Sequence, residues 1–93
     1  MDQHHKEIEK LILQEINSCL ELKDDSLLEN IPLKENVFDC GLDSMDFAII
    51  VSELEDKLGY DPFILEESPV YPDTFEDFLN IYFKYSSNFV QRN

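Results

Sequence analysis

Ile8, Leu11, Ile12, Ile16, Cys19 and Leu20 recur at the i, i+3, i+4 spacing of one helical face, with Glu7, Glu9, Lys10, Gln14 and Glu15 between them. That pattern predicts an amphipathic helix over residues 3–21, with Asp2 as N-cap at the positive end of its dipole. A second stripe is formed by Phe47, Ile50, Val51, Leu54 and Leu58. It opens at Asp43, a good N-cap, with Asp46 placed to complete a capping box, and it closes at Gly59, which suits a helix C-cap. A third stripe, Phe75, Phe78, Leu79, Tyr82 and Phe83, follows Pro72-Asp73-Thr74. There Asp73 or Thr74 can cap, and Glu76 or Asp77 can return the bond. An aromatic stripe at helical spacing reads as core rather than as a ligand box.

Between the first two stripes the periodicity breaks down. Asp24-Asp25-Ser26, Asn30, Pro32, Asn36 and Gly41 favour turns, yet Leu27, Leu28, Ile31, Leu33, Val37, Phe38 and Leu42 are too many apolar groups for a solvated linker. This stretch, Glu21 to Leu42, is expected to lie across the domain and seal its core, with room for a short helical turn at Ser26 to Glu29. Tyr60-Asp61-Pro62-Phe63 predicts a turn, because a residue before proline avoids helix. Ile64 to Glu67 predicts one helical turn before Ser68-Pro69. From Ser86 the chain is expected to fray, with Phe89 and Val90 able to fold back. Sustained period-two alternation and Asn-Gly or Asp-Gly hairpin turns are absent. The expected fold is all-α, a small bundle of three main helices plus one short helix with a long first loop. Ninety-three residues make a single domain, 1–93, with its core over about 3–85 and its tail at 86–93.

Charge narrows the partners. Twenty-one acidic against 7 basic residues leave a net charge of −14, so nucleic acid and anionic membrane surfaces are repelled and basic protein surfaces are attracted. The longest apolar run, Phe47 to Val51, is too short to span a bilayer, and the opening Met-Asp-Gln-His-His-Lys-Glu lacks the apolar core of a signal peptide. Cys19 and Cys40 are the only cysteines and form no CxxC pair, which points to reduced thiols and a cytoplasmic setting. No metal site is expected: His4 and His5 lack further ligands, and an EF-hand starting at Asp24 fails at Leu28 and Glu29. With 2 glycines there is no Gly-rich phosphate loop. Nothing shields a carboxylate pair for acid–base work, so no enzyme is expected.

Ser44 is what remains. A serine at a helix start is most often a cap, but Asp43 already fits that role, which leaves the Ser44 hydroxyl free at the first helical position. A phosphate attached there would meet the helix dipole and unpaired N–H groups, partly offset by Asp43 and Asp46. Met45 and Ile49 lie off the core stripe and, with Ala48 and Ser52, suggest a contact face beside the serine.

The stretch Gly41-Leu42-Asp43-Ser44-Met45 resembles the Gly-x-Asp-Ser-Leu signature of the acyl and peptidyl carrier proteins. The resemblance extends from about Ile8 to Phe83. It takes in the long apolar loop, the stripe after the serine, the Gly59-x-Asp61 exit, Thr74-Phe75 opening the last helix and the acidic balance. It implies that Ser44 is the attachment point of 4'-phosphopantetheine, placed there from coenzyme A by a Mg²⁺-dependent phosphopantetheinyl transferase. The chain would then be a phosphoprotein carrying acyl or aminoacyl groups as thioesters. Asp43 and Met45 match the family's recognition positions. The face of Met45, Ala48, Ile49 and Ser52, rimmed by Asp46, Glu53 and Asp56, would dock basic surfaces of the loading ligase and downstream biosynthetic enzymes, with the carrier a monomer. Met45 replaces the usual Leu, a volume-conserving change. Gly59-Tyr60-Asp61-Pro62-Phe63 departs from the usual fatty-acid carrier and is more like carriers of specialised, secondary-metabolite pathways. Fatty-acid, polyketide and peptide-type biosynthesis all stay open. So does a different class of function, a non-catalytic acidic helical adaptor with no prosthetic group.

Overall fold

Residues 3–90 are described by a computed structural model, and the proposed Asp2 cap lies outside them. The helices are α1 (Gln3–Leu22), α2 (Ser44–Leu58), α3 (Pro62–Leu65) and α4 (Phe75–Lys84), followed by a 3-10 turn at Ser86–Asn88. No strand occurs among the described residues, only an isolated bridge between Asn36 and Thr74. Helix α1 packs against α2 and α4, and α3 against α4. The all-α bundle of three main helices and one short one is what the periodicity predicts.

The stripes meet as their spacing requires. Ile8, Ile12, Ile16 and Leu20 from α1, Ile50, Leu54 and Leu58 from α2, and Phe75 and Tyr82 from α4 are completely buried. Burying side chains of this size stabilises the fold by about 1.5–3 kcal/mol each. Some positions depart from the pattern: Leu11, Val51 and Phe83, assigned to the stripes, are only partly buried. Glu15, read as polar spacing on α1, is buried and ion-paired with Lys57 of α2. Removing Lys57 would strand the Glu15 charge in the core, whereas the Lys57 side chain is 41% exposed and would stay solvated without Glu15.

The loop from Lys23 to Asp43 seals the core through Ile31, Val37 and Leu42, while Leu27, Leu33 and Phe38 stay exposed. The short turn expected at Ser26 to Glu29 does not form. Its backbone groups find another partner: the Asn17 amide donates to Leu28 O at 2.9 Å and accepts from Leu28 N–H at 2.8 Å. Farther on, the loop reaches α4. Phe75 N–H donates to Glu35 O and Glu76 N–H to Leu33 O, both at 3.0 Å, and Val37 N–H donates to Asp73 O at 2.9 Å. The loop thereby supplies acceptors for the first turn of α4, donors that a helix cannot satisfy internally.

Two further corrections concern the second half. Helix α3 starts at Pro62, not Ile64, with Asp61 as its N-cap accepting from Phe63 N–H at 2.9 Å. Proline suits the first helical position, where no N–H is needed. The expected fraying from Ser86 gives way to the 3-10 turn, and Phe89 and Val90 do fold back: Val90 N–H donates to Leu58 O at 2.8 Å. His4 and His5 lie against aromatic rings, of Phe89 and Phe83 respectively.

Candidate functional site

Helix α2 is capped at both ends by the residues its sequence nominates. Asp46 N–H donates to Asp43 Oδ1 at 2.9 Å and Asp43 N–H donates to Asp46 Oδ2 at 3.0 Å, a complete capping box. Gly59 closes the helix with φ 86°. Since Asp43 and Asp46 perform the capping, the exposed Ser44 hydroxyl lies outside the network. Just before it, Gly41 takes φ 101°, a region that favours glycine, and a Cβ added there would come within 2.8 Å of the Asp25 carboxylate.

Lys23, immediately beyond α1, crosses to this end of α2. Its Nζ lies 2.6 Å from Asp46 Oδ2 and 3.8 Å from Asp43 Oδ2. The hydrogen bond from Lys23 holds the Asp46 carboxyl below the usual carboxylate range, and the same bond raises the Lys23 pKa. Burial, followed by the nearby Asp46, pushes the Cys19 thiol up. Burial also raises the Cys40 thiol.

Beside Ser44 opens a cleft of about 560 Å³ whose lining is predominantly apolar. Phe47, Ala48 and Val51 of α2 form one wall. Val37 and Phe38 of the loop, Phe63 of α3, Tyr71, Pro72 and Phe78 complete it. Phe47 meets Phe38 and Phe78 edge-on, with centroids 5.3 and 5.4 Å apart.

A family model described as "Phosphopantetheine attachment site" matches residues 10–63. This chain belongs to that family. Phosphopantetheine-attachment domains hold covalently bound 4'-phosphopantetheine and act as carriers, so the chain is a carrier of that group, with a transferase and biosynthetic enzymes as its general class of partner. No curated protein and no solved structure gives a significant match. No helix among the described residues is long and apolar enough to cross a membrane.

The structure places most of the predicted site residues of this domain together. Met45 is 73% exposed and Ile49 51%, and with exposed Ala48, Ser52, Glu53 and Asp56 they lie along the outside of α2. Asp46 stands apart from that rim, with its side chain only 18% exposed and turned to Lys23. Val51, assigned to the core stripe, is half-buried and lines the cleft. Sequence reasoning missed Lys23, Phe38, Phe63 and Tyr71. Phe38 and Phe63 carry a signal in hindsight, as aromatic residues in segments without helical periodicity. Lys23 carries none, because no local spacing joins it to Asp46.

Proposed function

We propose that Ser44 is the phosphopantetheine attachment point and that the tethered cargo is an apolar acyl chain lodging in the adjoining cleft. One observation carries this reading: the hydroxyl left over from the α2 cap is also at the mouth of the largely apolar cleft. The residues present suit the group. The Ser44 hydroxyl is exposed, the helix start favours a phosphodiester, and Lys23 offsets part of the charge of Asp43 and Asp46. When bound, the group supplies a thiol on a flexible arm, which bears the cargo as a thioester at high effective concentration for successive enzymes.

The chain's own residues do the presenting. Asp43, with its side chain 67% exposed, and Met45 flank the serine where a transferase must approach. Ala48, Ile49 and Ser52, with Glu53 and Asp56, offer an apolar strip edged by negative charge, a match for basic grooves on loading and downstream enzymes. The cleft shelters the acyl chain from water, each buried methylene contributing about 0.8 kcal/mol. That environment disfavours charged aminoacyl cargo, so fatty-acid or polyketide-type biosynthesis is favoured over a peptide-type pathway. The chemistry belongs to the partner enzymes. The free thiols of Cys19 and Cys40 agree with a reducing, cytoplasmic setting.

Incubation with coenzyme A and a broad-specificity transferase is expected to add one phosphopantetheine mass to the wild type and none to Ser44→Ala. An unmodified wild type would refute the attachment point. Loading with saturated acyl groups of increasing length is expected to raise the melting temperature stepwise, whereas glycyl loading leaves it unchanged. Equal melting temperatures across the series would refute the apolar cargo.

A further inference from the structure

A phosphate approaching Ser44 meets carboxylates at Asp43 and Asp46, so the helix terminus that should welcome it is partly cancelled. The structure sets one lysine against both. Lys23 Nζ is 2.6 Å from Asp46 Oδ2, the very atom that accepts Asp43 N–H at 3.0 Å to close the capping box. Lys23 is held in place in turn: its N–H donates to Cys19 O and Leu20 O at 3.2 and 3.1 Å. Asp24 then turns the chain with φ 58°, and Asp25 N–H returns to Leu20 O at 2.9 Å. The Asp25 carboxylate lies against Gly41. Residues 23–25 therefore lie alongside the attachment stretch, beside Gly41 and bonded to Asp46.

We propose that Lys23 is a positioning residue for the loading of Ser44: it fixes the start of α2 through Asp46 and neutralises charge that would repel the incoming phosphate. This rests on the reading of Ser44 as the attachment point. Loading forms a bond from Ser44 Oγ to the pantetheine-side phosphorus of coenzyme A and breaks the pyrophosphate P–O bond. Adenosine 3',5'-bisphosphate leaves, and the Oγ proton passes to a base on the transferase. Lys23 contributes by keeping Oγ in place and the local charge low. It also draws Asp46 away from partners while leaving Asp43 exposed to them.

The test is transferase kinetics on the full chain, following the gain in mass with coenzyme A as donor at varied carrier concentration. Lys23→Met is expected to lower kcat about fivefold, the size of an exposed ion pair, without raising KM for the carrier, because the more acidic surface still attracts a basic enzyme. Lys23→Arg restores most of the rate. Lys23→Met/Asp46→Asn recovers it too, since the amide keeps the cap bond while the uncompensated charge is gone. An unchanged kcat in Lys23→Met, or Lys23→Arg no faster than the Met variant, would overturn the proposal. Should Lys23→Met fail to show wild-type helicity, Lys23→Gln carries the same comparison. Failure of the wild type to be modified refutes the Ser44 reading instead and is thereby distinguishable.

Discussion

The Tyr60 hydroxyl donates a 2.7 Å hydrogen bond to the main-chain carbonyl of Tyr82, whose own hydroxyl is buried without a partner among the described residues. Two tyrosines in edge contact, 6.1 Å between centroids, thus differ in what their oxygens contribute. Tyr60→Phe is expected to cost about 0.5–1.5 kcal/mol by urea denaturation, the usual net value of such a bond. Tyr82→Phe removes an unsatisfied polar atom and is expected to be neutral or stabilising. A destabilised Tyr82→Phe would show that its hydroxyl bonds to water in solution.

Gly41 offers a second test. The Asp25 carboxylate can swing away from a new Cβ, but φ 101° cannot be relieved without moving the attachment stretch. Gly41→Ala is therefore expected to lose about 1–2 kcal/mol of stability, the cost of forcing an L-residue into a left-handed conformation. Calorimetry on the two proteins measures it.

On α2 the inner and outer faces should respond in opposite ways. Leu54 is fully buried, so Leu54→Ala is expected to cost about 2–5 kcal/mol. Met45→Glu and Ile49→Glu, at exposed positions, are expected to change stability by less than about 0.5 kcal/mol while weakening transferase recognition. Circular dichroism and loading kinetics separate the two effects.

Acid should release a tie between α3 and α4. The Tyr85 hydroxyl donates to Glu66 Oε2 at 2.6 Å and Lys84 Nζ lies 2.9 Å from the same oxygen, and these bonds hold the Glu66 carboxyl below its ordinary range. A depressed folded-state pKa stabilises fully above the unfolded value, and that contribution is lost as pH falls through the folded value. Glu66→Gln is thus expected to melt earlier than wild type at neutral pH, with the gap closing in acid. Because acid also relieves the −14 net charge, the difference between the two proteins is the quantity to follow.

What was legible in the sequence was local. The cap at Asp43, the Gly59 terminus and the buried faces of the long helices follow from spacing and from chemistry within a few residues. Of the two caps left open for α4, Asp73 and Thr74, it is Thr74 that closes a capping box with Asp77. The Ser44 motif stood out for the same reason. What stayed hidden depends on side chains meeting across long separations: Lys23 with Asp46, Asn17 with Leu28, Glu15 with Lys57. The start of α3 was misplaced because the residue before a proline can be an N-cap as readily as the middle of a turn. The cleft was invisible because its walls come from separate segments: Phe47, Val51 and Phe78 belong to recognised stripes, but Phe38, Phe63 and Tyr71, which complete it, lie where no periodicity marks them.

The hydrogen bonds from Phe75 and Glu76 to Glu35 and Leu33 bear on how the chain acquires its shape. The last long helix finds its capping acceptors in a segment that precedes α2, so it cannot be finished while that segment is loose. A peptide holding only α4 would start with orphaned donors and a stripe of aromatic rings in water. The first turn of the final helix and the first loop therefore complete each other, a pairing of residues about forty positions apart that ties the order of one to the order of the other.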